Sequence, residues 1–254
     1  MRKITFLKFS ADFINKILNP LGYNATFFQN TTDSNYEKIT PIANYAPWKN
    51  DIKFNEIYGK IINYSFVDKY RLYELWQLVG ETTKIPGALI EIGVWRGGSG
   101  ALIRKKADLC GISDKLYLCD TFEGIVKTDL EKDPYFKNGS LNNTSEKIVN
   151  DLINKKLKLK NVEILKGIFP DETKQFVKDD KFRFCHIDVD VYNSARDIVD
   201  WIWKRMSKGG IIVYDDYGFE GCIGITKFVN EERKKSDRIV IHNLNGHAVV
   251  IKIV

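Results

Sequence analysis

The chain has 254 residues, 44% of them hydrophobic and 28% charged, enough to bury a sizeable core in one large domain or in a core with an extension. Its net charge of +6 is modest, and no dense basic run interleaved with aromatics occurs, which argues against a nucleic-acid partner. No apolar run reaches the roughly 18 residues that span a bilayer.

The first residues show neither the unbroken apolar stretch nor the cleavage site of a secretory leader. The four cysteines (Cys110, Cys119, Cys185 and Cys222) lack CxxC spacing, so neither a disulfide framework nor a zinc site is indicated. A protein of the reducing cytoplasm is expected.

Residues 1–66 contain one amphipathic helix, at about Leu7–Leu18, followed by a polar stretch rich in Asn, Thr and aromatics. They read as an N-terminal extension, either a lid or an oligomer arm. From about residue 68 onward, helical and extended patterns alternate as in a doubly wound α/β fold. Asp68 is placed to cap a helix whose apolar positions Leu72, Leu75, Trp76 and Val79 recur at helical spacing. Pro86-Gly87 breaks the chain before a strand at Ala88–Gly93. A helix at about Ser99–Leu109 and a strand at Lys115–Asp120 follow.

Thr121–Asn143 is long, polar and without period, and loops of that length often shape a substrate pocket. The next helix, about Thr144–Leu157, should bury Ile148, Val149, Leu152 and Ile153. Val162–Gly167 reads as a third strand and the run FRFCHIDVDVY (Phe182–Tyr192) as a fourth. Ser194 and Asp197 resemble a capping box for a helix carrying Ile198, Trp201, Ile202 and Met206. Gly209-Gly210 should end that helix and lead into a fifth strand, GGIIVYDDYG. A helix near Ile223–Lys234 precedes two apolar runs flanking the LNG turn, a terminal hairpin.

Two of these strands end in paired acids: Asp188 and Asp190 on the fourth, Asp215 and Asp216 on the fifth. Parallel strands deliver their C-terminal ends to one crevice, where ligands bind. Four carboxylates there repel one another unless a cation or protons neutralise them, and a hard, oxygen-liganded divalent ion is the simplest answer. Asp188 and Asp190 alternate on one strand face, whereas Asp215 and Asp216 can share a ligand only if the strand is already turning. His186 lies on the face of Asp188 and reads as a hydrogen-bonded core residue ahead of a catalytic base. His242 and His247 read as hairpin or surface residues.

The turn EIGVWRGGSG (Glu91–Gly100) joins the first strand to a helix, but it is not GxGxxG. Gly93, Gly97 and Gly98 permit tight turning and close approach of a ligand. A carboxylate at Glu91 suits a cationic amino group better than a pyrophosphate, and Asp120, ending the second strand, suits ribose hydroxyls. Together they describe S-adenosyl-L-methionine better than NAD. Trp95 packs either on that cofactor or under the loop. Gly167 and Phe169, beside Lys166 in KGIFPDE, either border the adenine or simply end a strand.

The segments PGALIEIGVWRGGSG, LCDTFEG, HIDVDVY and KGGIIVYDDYG, in this order over about Pro86–Phe228, resemble the macrocin O-methyltransferase family. Its members are Mg2+- and S-adenosylmethionine-dependent enzymes acting on sugar hydroxyls. The resemblance implies a class I methyltransferase (Rossmann-like) sheet of seven strands, mostly parallel with a C-terminal antiparallel strand. Residues 67–254 would form that domain. It implies a cation held by Asp188, Asp215 and Asp216, with Asp190 or Asp188 near the acceptor hydroxyl as base. It also implies cofactor positions at Glu91, Gly93, Ser99 and Asp120.

The resulting expectation is O-methylation of a sugar in a glycoside, nucleotide sugar or surface polysaccharide, by a cytoplasmic protein with no membrane span that can form a homodimer or higher homo-oligomer. Two other classes compete: a Mg2+-dependent phosphohydrolase, suggested by the DxD in HIDVDVY, and a non-catalytic cofactor-binding module. The first leaves Glu91 and Asp120 unexplained. The second leaves four costly buried acids without a purpose.

Overall fold

A computed structural model describes residues 13–23, 25, 35–40, 42–179 and 181–254. The chain divides into two compact units, Met1–Ile42 and Ala43–Val254. In the first, residues 13–18 are helical and continue into a 3-10 turn at Asn19–Leu21. The Asn15 side chain fixes the following chain by bonding the carbonyl and the amide of Ala25. The first half of the helix expected at Leu7–Leu18 lies outside the described residues.

The second unit opens with α1 (Ile52–Ile61) and α2 (Lys69–Glu81). Asp51 caps α1 by accepting from the Phe54 amide, and its second oxygen accepts from Trp76 Nε1 at 3.0 Å, tying α1 to α2. Asp68 caps α2 as its sequence position predicts, accepting from the amides of Tyr70 and Arg71. Leu72, Leu75, Trp76 and Val79 are all buried. β1 (Ala88–Ile92), α3 (Gly98–Leu109) and β2 (Leu116–Asp120) follow. No helix or strand interrupts residues 121–145.

α4 (Glu146–Asn150) is shorter than expected because the ladder widens into a π-helical turn at Asp151–Lys156. Val149, Leu152 and Ile153 are buried, whereas Ile148 is only half-buried. β3 (Val162–Lys166) and β4 (Phe182–Ile187) come next, then α5 (Tyr192–Ile202), β5 (Met206–Tyr214), α6 (Ile223–Glu232), β6 (Arg238–His242) and β7 (Ala248–Lys252).

Two local expectations are corrected. Ser194 does not cap α5: it lies inside the helix and its hydroxyl donates to the Val126 carbonyl. Asp133, reaching over from the long loop, instead accepts from the Tyr192 amide at 3.0 Å. Nor does Gly209-Gly210 end a helix. The helix stops at a 3-10 turn, Trp203–Arg205, and the glycines lie within β5, where the register to β4 shifts and Gly209 adopts φ +79°. A bulge needs that freedom as much as a helix end does.

The strands form one seven-stranded sheet in the order β3-β2-β1-β4-β5-β7-β6. β1 to β5 are mutually parallel, and β7 enters antiparallel between β5 and β6. Helices cover both faces. Leu89, Leu118, Phe184 and Val213 pack with α1, α2 and α3, whereas Ile90, Cys119, Cys185 and Ile212 pack with α5 and α6. This alternation explains why the strands read as continuous apolar runs. It also sets Glu91 and His186, paired in register, on the α2 side.

Candidate active site

The cleft opens where β1, β2, β4 and β5 end. Gly93, Trp95, Ser99, Asp120, Gly167, Phe169, Asp188, Asp190, Asp215 and Asp216 all line it. Elements that the chain separates by more than a hundred residues therefore converge on one hollow, as strand-end geometry requires. Gly93 is what lets β1 and β4 close together: at φ +84° a Cβ there would stand 1.7 Å from the Asp188 carbonyl oxygen. No other residue type fits that position.

Asp120 holds the glycine turn. One oxygen accepts from the amides of Val94 and Trp95 at 2.6 and 2.8 Å, and the other from Phe122 at 2.7 Å. Trp95 sits with φ +46° at the mouth, its ring stacked on exposed Phe66 with centroids 4.0 Å apart. Its indole N–H donates to Asn143 Oδ1 at 2.8 Å, so the ring both faces the cleft and packs against the loop. Phe169 likewise has two duties, lining the cleft and meeting Trp201 edge-on at 5.1 Å. The loop contributes Thr121, Gly124, Ile125, Val126 and Leu141 to the wall. Lys127 fixes it by bridging Asp171 and Asp197 at 2.7 and 2.6 Å.

Glu91 is placed differently from the expectation of direct ligand contact. It is fully buried and is not among the residues lining the cleft. Its Oε1 lies 2.8 Å from His186 Nδ1. His186 is itself fully buried, as a hydrogen-bonded core histidine. Glu91 Oε2 and His186 Nε2 have no partner among the described residues.

The acids form the floor. One ligand atom from each of Asp188, Asp215 and Asp216 lies within 4.8 Å of the others. β4 ends at Ile187 and β5 at Tyr214, so the acids belong to the turns that follow. Asp190 and Asp216 adopt φ +61° and +63°, and it is this left-handed backbone, rather than strand alternation, that aims them inward.

Their electrostatics differ sharply. Burial, then Asp215 and Asp216, push the Asp188 carboxyl well above its usual range, and burial with Asp215 and Asp190 does the same to Asp216. Burial raises Asp190 to about 6, against a lowering hydrogen bond with Asp216. Asp215 goes the other way: burial opposes its charge, but bonds to His247 and the nearby Arg71 guanidinium lower it to about 2.

Sequence reasoning missed both of those cations. Arg71, on α2 and nearly buried, donates from Nη1 to Asp215 Oδ2, lies 3.6 Å from Asp216, and is steadied by Asp68 at 2.8 Å. His247, read as a hairpin residue, is fully buried with Nε2 2.7 Å from Asp215 Oδ1. Arg71 looks in the sequence like any charged helix position; only its i,i+3 spacing from the cap Asp68 hinted at an inward face.

The all-oxygen set of Asp188, Asp215 and Asp216 fits a hard divalent cation. The raised carboxyls of Asp188 and Asp216 are those of a site short of positive charge, so the residues present suit such an ion.

A parallel sheet with its antiparallel strand β7 set between β5 and β6, and a cleft at the strand ends, is the class I methyltransferase architecture. The solved O-methyltransferase NovP shares it: 26% identity, TM-score 0.66, over 75% of this chain and 83% of that one. The macrocin-O-methyltransferase (TylF) family profile matches residues 29–249, and the chain belongs to that family.

Among curated relatives, 30% identity over 146 residues relates it to the 8-demethyl-8-(2,3-dimethoxy-alpha-L-rhamnosyl)-tetracenomycin-C 4'-O-methyltransferase of Streptomyces olivaceus. That match covers 54% of this chain and 56% of the relative. The demethyldecarbamoylnovobiocin O-methyltransferase of Streptomyces niveus is 30% identical over 179 residues, 66% of each chain. The chain thus spans between 56% and 66% of the length of these two relatives.

Proposed function

We propose that this protein transfers a methyl group from S-adenosylmethionine to a hydroxyl of a sugar, with a divalent cation, most simply Mg2+, in the site. One observation carries the reading: a single cleft holds both the Asp120-braced glycine turn and a three-carboxylate donor set with Asp190 beside it. The two relatives named above are an O-methyltransferase of a rhamnosyl-tetracenomycin and one of demethyldecarbamoylnovobiocin, and the first supports a sugar on a small-molecule glycoside as acceptor. The four free cysteines suit a reducing cytoplasm.

Bound S-adenosylmethionine supplies an activated methyl group, and a bound hard cation supplies Lewis acidity toward sugar oxygens. The chain's own residues do the rest. Asp120 retains a free lone pair on Oδ1 for a ribose hydroxyl while its three amide bonds keep the turn open around the donor. Gly93 lets the backbone approach it, Ser99 and Gly167 complete the wall, and Trp95 and Phe169 offer faces for flat groups. Glu91, beneath the turn, adds negative potential under the sulfonium's amino group. Asp188, Asp215 and Asp216 hold the cation, and Asp190 takes the proton of the acceptor hydroxyl onto a carboxylate oxygen. Ile125, Val126 and Leu141 exclude water from the acceptor side.

The test is titration calorimetry with S-adenosylhomocysteine, with and without EDTA, beside a methyl-transfer assay on rhamnosyl glycosides and nucleotide sugars. Binding of the homocysteine product together with metal-dependent transfer is the expected result. No binding of S-adenosylhomocysteine, or full turnover after exhaustive chelation, overturns the corresponding half.

A further inference from the structure

We infer that Glu74 and His247 are positioning residues that hold the Asp215 carboxylate in its cation-ligating orientation, which makes the β6–β7 hairpin a working part of the site. The inference rests on the assignment of Asp215 as a ligand given above.

Neither residue lines the cleft, yet both are joined to its floor. His247 places Nε2 2.7 Å from Asp215 Oδ1 and Nδ1 2.6 Å from Glu74 Oε2. Glu74 is held in turn by the hairpin, accepting from the side-chain amides of Asn243 and, at 3.0 Å, Asn245. Asn245 also accepts from the His247 amide at 2.9 Å, which fixes the ring's starting point. The second oxygen of Asp215 is bonded to Arg71. Asp215 is therefore gripped at both oxygens by groups that are themselves anchored, and its carboxylate plane cannot turn independently.

A ligand carboxylate free to rotate must be ordered when the ion binds, whereas one already ordered avoids that cost. Asp188 and Asp216, by contrast, have no comparable pair of charged clamps. Asp216 lies 3.6 Å from Arg71, and Asp188 forms no ion pair among the described residues. The arrangement supplies one rigid ligand against which two adaptable ones can close.

The measurement is Mn2+ affinity by electron paramagnetic resonance, with S-adenosylhomocysteine affinity by calorimetry on the same samples. His247→Ala should weaken Mn2+ about 10–100-fold, the usual worth of a residue orienting a metal ligand, and leave S-adenosylhomocysteine within about twofold of wild type. Glu74→Gln should give a smaller loss in the same direction. His247→Gln, which keeps one amide donor, serves if the alanine variant does not fold, and should fall between wild type and Glu74→Gln or His247→Ala.

Val240→Ala on β6 is the control, because it weakens the hairpin without touching Asp215. It should lower the melting temperature and spare Mn2+ affinity. Unchanged Mn2+ affinity in the His247 variants, or an equal loss in Val240→Ala, overturns the inference while leaving the cation site standing. A wild-type protein that binds no Mn2+ overturns the cation assignment itself.

Discussion

The four aspartates on one floor differ in their hold on a proton because their neighbours differ. Asp190, like Asp188, has neither a guanidinium nor an imidazole bonded to it, but its carboxyl is raised only to about 6, whereas Asp188 and Asp216 are pushed well above their usual range and Asp215 is lowered, so Asp190 is the best placed to exchange a proton near neutrality. Asp190→Asn keeps the shape but removes the basic oxygen. Turnover should fall about 10²–10⁴-fold, with Mn2+ and S-adenosylhomocysteine affinities nearly unchanged; loss of the ion instead would exchange the roles of Asp190 and Asp188. Asp120 accepts three backbone amides as well as facing the cleft, so Asp120→Ala should cost cofactor binding about 1.5–3 kcal/mol by calorimetry. Equal affinity in variant and wild type would remove Asp120 from the cofactor site.

Elements were legible wherever one face or one cap decided them. Asp68 and the four apolar positions of α2 predict that helix and its buried face, and the β-branched and aromatic runs predict every strand of the sheet. What was not legible came from contacts distant in sequence. α5 takes its cap from Asp133 in the loop, a partner 59 residues away. β5 starts at Met206 because the sheet absorbs the glycine pair as a bulge. The acids were found as strand-end residues, but Arg71 and His247 were not, since nothing local marks a charge that is buried 144 or 32 residues from its partner. The turn after β1 carries the sharpest prediction at this scale. Gly93→Ala forces a left-handed alanine against the Asp188 carbonyl. The expected loss is about 3 kcal/mol or more, or on the order of 10 °C in melting temperature. A variant that melts with wild type would mean the two strand ends can part at little cost.

For the whole molecule, the acid floor links stability to pH. The folded-state pKa of Asp190 is raised from 3.8 to about 6, so the folded state holds that proton more tightly than the unfolded chain. Its contribution is fully present below about 3.8 and is lost as pH rises through about 6. Asp215, lowered to about 2, contributes with the opposite sign: its stabilisation is present above about 3.8 and is lost only in stronger acid. Denaturant unfolding of metal-free protein between pH 4 and 6 should therefore show a downward slope to which Asp188, Asp190 and Asp216 all contribute and which Asp190→Asn makes shallower. Saturating Mg2+ should flatten the same slope by favouring the ionised floor; an identical slope in the variant would place the titration elsewhere. The strand order has a consequence in time as well as in space. β6 is synthesised before β7, yet its partner in the sheet is β7, which lies between it and β5. While the chain is being made, β6 must wait unpaired, and Asp215 must wait for His247, the residue that immediately precedes β7. Closing the sheet edge and completing the charge balance of the floor thus become one late event, so a nascent chain could dock β1 to β5 early while remaining unable to present a finished site.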